Sequence, residues 1–154
     1  MPDTIDARLK ALGIDLPAPA APAANYVPSV RAGNLLLTSG QLPFDGGKLL
    51  HTGIVGAAVS LEEAQASARQ CAVNILAVAK SALGDLEKVR RLVKITVFVA
   101  STPDFTGQHL VGNGASDLLV EVLGETGKHA RSAIGMACLP LDAPVEIEAI
   151  FEVE

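Results

Sequence analysis

Ala130-Arg131-Ser132-Ala133-Ile134-Gly135-Met136-Ala137-Cys138-Leu139-Pro140, followed by Val145-Glu146-Ile147-Glu148, reads as two strands joined through a Leu-Pro turn. The second strand alternates aliphatic residues with carboxylates, the period-two pattern of a sheet with one buried face. Val145, Ile147, Ala149, Phe151 and Val153 should face a covering layer, while Glu146, Glu148, Ile150 and Glu152 point away. In the first strand Ala133, Gly135 and Ala137 fall on one side, Ile134 and Met136 on the other. Arg131 is planar, permanently charged and able to grip a carboxylate through two parallel hydrogen bonds. An acid on the returning, neighbouring strand could then act on the other end of the same small molecule.

Upstream, Ser60-Leu61-Glu62-Glu63 is a capping box that opens a helix running to about Leu83, before Gly84. Its apolar face carries Leu61, Ala64, Ala68, Cys71, Ile75, Val78 and Leu83. Val93, Ile95, Val97 and Val99 alternate with Lys94, Thr96 and Phe98, which is a strand. A second long helix is expected from about Gly107 to Leu123, with Val111, Ala115, Leu118, Leu119 and Val122 buried. Ser29 to Arg31 and Leu35 to Ser39 form a strand pair around Ala32-Gly33-Asn34, and residues 41–54 read as a loop with Gly46-Gly47 as a turn. A short helix over residues 3–12 and a proline-rich connector from Leu16 to Pro22 precede them. The order of elements predicts an α+β fold, a single mixed β-sheet with two helices packed on one face. The division is residues 1–24 as an N-terminal helix and Pro/Ala-rich extension, then 25–154 as the main domain. The other sheet face mixes small residues, aliphatics and carboxylates, which points to oligomerisation through it.

With 49% hydrophobic but only 3% aromatic residues, the core must be close-packed from Ala, Val, Leu and Ile. A net charge of −5, with no basic cluster beyond Lys88, Arg90, Arg91 and Lys94, argues against nucleic-acid binding. Cys71 and Cys138 give neither a disulfide framework nor metal-ligand spacing. An N-terminus carrying Asp3, Asp6, Arg8 and Lys10 is unlike a signal peptide, and no stretch has the length of a membrane span. The expectation is a cytoplasmic protein with no metal, no membrane partner and no nucleic acid.

The stretch from Arg131 to Glu148 closely resembles the signature of the RidA/YjgF family of reactive-intermediate (enamine/imine) deaminases, formerly labelled L-PSP endoribonucleases. That signature is Arg-Ser-x-x-x-x-Ala-x-Leu-Pro followed by a Val/Ile-Glu-Ile-Glu strand. Asn25-Tyr26, Gly33 to Pro43 and Val93 to Val99 resemble the family's other strands, so the likeness covers residues 25–154. It implies a homotrimer of chorismate-mutase-like fold with sites in the clefts between subunits, needing no cofactor.

The same resemblance implies that Arg131 holds a substrate carboxylate and that Glu146 orients or activates water. Alternation alone does not separate Glu146 from Glu148. Tyr26, the only tyrosine, matches a residue lining the pocket, and packing is its other reading. Asn113 matches a site or interface asparagine, Gly40 lies in a Ser-Gly-Gln turn beside the pocket, and Ala133 stands two residues after Arg131. Many deaminases have a cysteine at that position, and the segment from Phe105 to Asn113 is also longer here. His129 is a candidate proton shuttle, whereas His51 and His109 look like loop or surface residues. The implied reaction is hydrolysis of a small carboxylate-bearing imine or enamine, 2-aminoacrylate-like, to a 2-keto acid and ammonia. The alternative is a non-catalytic trimer that binds a keto acid or amino acid. RNA cleavage is disfavoured by the acidic charge, and chorismate mutase chemistry by the single arginine placed for a dicarboxylate.

Overall fold

A computed structural model describes residues 2–19, 21 and 24–154. Its main sheet has five strands: β1 (Ser29–Ala32), β2 (Leu35–Thr38), β5 (Val89–Ala100), β6 (Ala130–Met136) and β7 (Val145–Val153). The spatial order is β1-β2-β7-β5-β6, with β5 parallel to β6 and every other pairing antiparallel. Helices α2 (Leu61–Leu83) and α3 (Gln108–Leu123) lie side by side on one face. The mixed sheet with two helices on one face is therefore the observed architecture. A third helix, α1 (Ile5–Ala11), packs against α3 and not on the sheet.

The capping box forms in full: Glu63 N donates to Ser60 Oγ, and Ser60 N donates to Glu63 Oε1, each at 3.1 Å. Gly84, with φ of 79°, ends the helix as the sequence predicts. From Cys71 to Ala79 every residue of α2 is buried, because the helix is covered on its outer side as well. There Asn74 Nδ2 donates to the carbonyls of Leu42 and Phe44 at 2.9 and 3.0 Å, fastening residues 42–44 across the helix. The expected loop over 41–54 contains a small hairpin, β3 (Phe44–Asp45) and β4 (Lys48–Leu49). Gly46 and Gly47 form its turn with φ of 60° and 82°, a conformation that favours glycine at both positions.

Two expectations need correction. Alternation placed Val93 inward with Ile95, Val97 and Val99, but a register shift between Leu92 and Lys94 puts Leu92 in the core and leaves Val93 half-buried. The last two strands are also not neighbours. The turn at Pro140–Asp142, with Leu141 and Asp142 in left-handed backbone at φ of 59° and 60°, carries the chain around the end of β5. Ala100 N donates to Pro144 O there at 2.9 Å, and β7 continues on the far side of β5. β7 does alternate as predicted, with Val145, Ile147, Ala149, Phe151 and Val153 all in the core.

α1 is held by its apolar side, Ile5 and Leu9, by Arg8 Nη1 donating to Val122 O at 3.0 Å, and by an exposed Lys80–Asp6 pair. Of the connector expected from Leu16 to Pro22, Ala20 and Pro22 lie outside the described residues. Among the described residues no helix is long and apolar enough to cross a membrane.

Helices α2 and α3 approach closely at Gly114, where a Cβ would stand 2.8 Å from the carbonyl carbon of Gln65 and 3.0 Å from its Cα. Backbone cannot rotate aside as a flexible side chain does. Gly114→Ala is therefore expected to cost about 1–3 kcal/mol through overpacking. Urea unfolding would show a lower midpoint at unchanged slope, and an unaltered midpoint would contradict the close crossing of α2 and α3.

Candidate functional site

Arg131 sits near the start of the edge strand β6 on its helix-facing side, the side that two residues later packs Ala133 against the core. Its guanidinium is fixed from one helix. Nη1 donates to Asn113 Oδ1 at 3.0 Å and to Ser116 Oγ at 3.1 Å, and Nη2 donates to the His109 carbonyl at 3.1 Å. A Cβ at Gly112 would lie 3.1 Å from Nη1, so this glycine lets the guanidinium lie close to α3. All three acceptors are neutral. Among the described residues no carboxylate forms an ion pair with Arg131, so its charge is oriented without being neutralised.

His129 completes a chain of hydrogen bonds. Its Nδ1 lies 2.6 Å from the Gly127 carbonyl, which can only accept, so that nitrogen donates. Its Nε2 lies 2.9 Å from Ser116 Oγ. The Ser116 hydroxyl already accepts from Arg131 and has its own proton to give to Nε2. Both ring nitrogens are thus engaged, and His129 braces Ser116. A cavity of about 250 Å³ opens beside this group, lined by Ser116, Val120, Lys128, His129 and Arg131. Ser116 was missed in the sequence, although its place one turn after Asn113 puts both on the same face of α3. His109 contributes only its carbonyl here, and His51 pairs with Glu63 at 3.2 Å.

Glu146 belongs to a second cluster. It lies between Val145 and Ile147, both in the core, and so points to the face away from the helices. Its carboxylate rests against Gly40, where a Cβ would stand 2.9 Å from the Glu146 Cδ and closer still to one carboxylate oxygen. Gln41 holds this approach by exchanging backbone hydrogen bonds with Ile147 at 2.8 and 3.1 Å. Burial pushes the Glu146 carboxyl above the usual glutamate range, and the Glu148 carboxylate raises it further. The buried Cys71 thiol is likewise pushed up, chiefly by burial and then by Glu146. Tyr26 and Gly40 line a cavity of about 130 Å³ together with Ser39, Gln41, Leu42 and Phe44. Burial separates the two candidate glutamates, since Glu146 is half-buried and Glu148 exposed.

The structure thus brings Arg131, Asn113 and His129 together around Ser116, and separately sets Glu146 against Gly40, which shares the smaller cavity with Tyr26. With Arg131 opposite Ile95 and Glu146 opposite Phe98, their α-carbons are two strands and three residues apart, about 14 Å at ordinary spacings. Their side chains also leave opposite faces of the sheet. The expectation that both act on one molecule from adjacent strands of a single chain is corrected by the intervening β5. Among the described residues no group of three His, Cys, Asp or Glu is placed to hold a metal ion.

Residues 6–152 match the family described as "YjgF/chorismate mutase-like, putative endoribonuclease". Protein TCP17 of Trypanosoma cruzi is 50% identical over 149 residues, which cover 96% of this chain and 93% of that protein. The 2-iminobutanoate/2-iminopropanoate deaminase of Escherichia coli (strain K12) is 38% identical over 125 residues, 81% of this chain and 84% of the relative. The crystal structure of Atu1372 from Agrobacterium tumefaciens, a protein of unknown function, is similar with a TM-score of 0.93 and 56% identity. That match covers 99% of this chain and 94% of the other.

Two predictions test the Glu146 cluster. Gly40→Ala should displace the carboxylate at a stability cost below about 1 kcal/mol, because a flexible side chain gives way more easily than backbone; a crystal structure with Glu146 unmoved would refute this. The raised pKa means that the folded state holds this proton more tightly than the unfolded chain does. Stability is therefore lost as pH rises from about 4.3, the ordinary glutamate value, through the folded value. Glu146→Gln escapes that loss, so its melting temperature should gain on the parent's between pH 4 and pH 8. A difference constant across that range would show that Glu146 is not desolvated.

Proposed function

Because the chain belongs to the YjgF/chorismate mutase-like family, we propose that it hydrolyses small imines and enamines bearing a carboxylate to 2-keto acids and ammonia. The observation that carries this reading is the guanidinium of Arg131, aimed by three neutral acceptors and, among the described residues, paired with no carboxylate. A substrate carboxylate supplies that partner through two parallel hydrogen bonds. The relationship to an E. coli imine deaminase supports the reaction class.

In this reading the active unit is a homotrimer, and each site joins the Arg131 cluster of one subunit to the Gly40–Glu146 cluster of the next. Separation of the two clusters within one chain supports this, as does the sheet face that the helices leave uncovered, where Leu35, Leu37 and Ile134 are exposed. An enamine first tautomerises to the imine. Water then adds to the imine carbon: a C–O bond forms while the C=N π pair moves to nitrogen. Glu146, as carboxylate, takes a proton from that water, and its raised pKa suits it to return the proton to nitrogen. Glu146 then takes the proton of the new hydroxyl group and delivers it to the amine as the C–N bond breaks, so ammonia leaves and the C=O of the keto acid forms. Orientation by Arg131 supplies much of the acceleration. The expected location is cytoplasmic.

Ala133 favours a second reading, a trimer that binds a keto acid or amino acid without turnover, since its methyl group adds no proton-bearing function near Arg131. Imines generated in solution by an amino-acid oxidase separate the two. Keto-acid release accelerated by the parent protein and lowered about 100-fold or more in Arg131→Ala is the expected result. No acceleration by the parent over buffer would leave the binding reading.

A further inference from the structure

A guanidinium carries five N–H donors, one on Nε and two on each terminal nitrogen. The acceptors of Arg131 Nη1, which are Asn113 Oδ1 and Ser116 Oγ, and the acceptor of Nη2, the His109 carbonyl, all belong to α3. The edge between Nη1 and Nη2 is therefore turned towards that helix. A Cβ on Gly112 would meet Nη1 at 3.1 Å, Cζ at 3.3 Å and Nε at 3.5 Å, so one face of the planar group lies over this glycine. Two hydrogens remain, that of Nε and one on Nη2, and among the described residues neither has an acceptor. They lie on the outer edge, where a carboxylate can accept two parallel bonds.

Ser116 can occupy Nη1 because its own proton is held elsewhere. His129 Nδ1 donates to the Gly127 carbonyl, which leaves Nε2 of the neutral ring as an acceptor, 2.9 Å from Ser116 Oγ. The bonds run in one direction, from Nη1 to the serine, from the serine to the imidazole, and from the imidazole to backbone. Each donor in such a chain strengthens the next. His129 spends both nitrogens on this chain, so it holds a proton in place and has none to shuttle.

We propose that Ser116 and His129 are positioning residues: by keeping Nη1 occupied they confine the substrate carboxylate to the Nε–Nη2 edge and so fix the direction in which the imine carbon is presented. The proposal rests on the reading of Arg131 as the carboxylate site. Removing the serine hydroxyl frees a hydrogen on Nη1 and lets the guanidinium turn, while its charge stays. The carboxylate is then still bound but no longer aligned, a loss that falls on turnover and spares affinity.

The test compares the parent with Ser116→Ala, His129→Ala and the double variant, by calorimetric binding of pyruvate, crystal structures of the pyruvate complexes and imine hydrolysis. Pyruvate affinity is expected to stay within about threefold of the parent's in every variant. Turnover is expected to fall about tenfold or more in each single variant. The double variant should fall no further than either single one, because the two residues act as one unit. Ser116→Thr, which keeps the hydroxyl, should recover most of the loss. Should Ser116→Ala fail to fold, His129→Ala carries the same expectation. Affinity lost in step with turnover, additive effects in the double variant, or failure of pyruvate to bind the parent would overturn the proposal. If the parent turns over no imine, the deaminase reading fails and the crystal structures decide alone. Pyruvate on the Nε–Nη2 edge of the parent, with the guanidinium turned in Ser116→Ala, supports the proposal, and an unmoved guanidinium overturns it.

Discussion

The parallel pairing of β5 with β6 governs the rest of this molecule. Parallel neighbours require a crossover, and α3 is that crossover. It leaves the end of β5, packs beside α2 and returns the chain to start β6 alongside Lys94. Arg131 is therefore delivered to the sheet edge directly against the helix that precedes it. The partners of its guanidinium all come from about two turns of that helix, between His109 and Ser116. The same pairing occupies one edge of β5 and leaves the other for β7, which sets Glu146 apart from Arg131.

Much of this was legible in the sequence because its signals are local. Ser60 and Glu63 fix the start of α2, Gly84 its end, and the alternation from Val145 to Val153 shows which carboxylates leave the core. The resemblance in Arg131 to Glu148 pointed to the residues around which both clusters are built. What stayed hidden depends on register or on distance through space. A bulge moves Val93 out of the core without changing its neighbours in sequence. A turn that rounds the end of β5 reads the same as a hairpin until Leu141 and Asp142 are seen in left-handed backbone. Ser116 carries no chemical signal of its own and gains a role only because α3 presents it to Arg131 and His129 together.

Two glycines show how little material separates the clusters from ordinary packing. At Gly40 the missing side chain makes room for a carboxylate, and at Gly112 for a guanidinium. Neither requires a glycine backbone conformation, since neither has positive φ. Their identity is set by a neighbour that needs the space, which no reading of local turn propensity reveals.

Arg131 stands at a sheet edge with no carboxylate among the described residues paired to its charge, and a field of that kind reaches every small carboxylate in the surrounding solution alike. Metabolites, reaction products and acidic buffers all compete for it on equal electrostatic terms. Recognition by charge can gather such molecules but cannot tell one from another. Whatever identity this protein recognises must be read from the remainder of the guest, by surfaces that carry no charge.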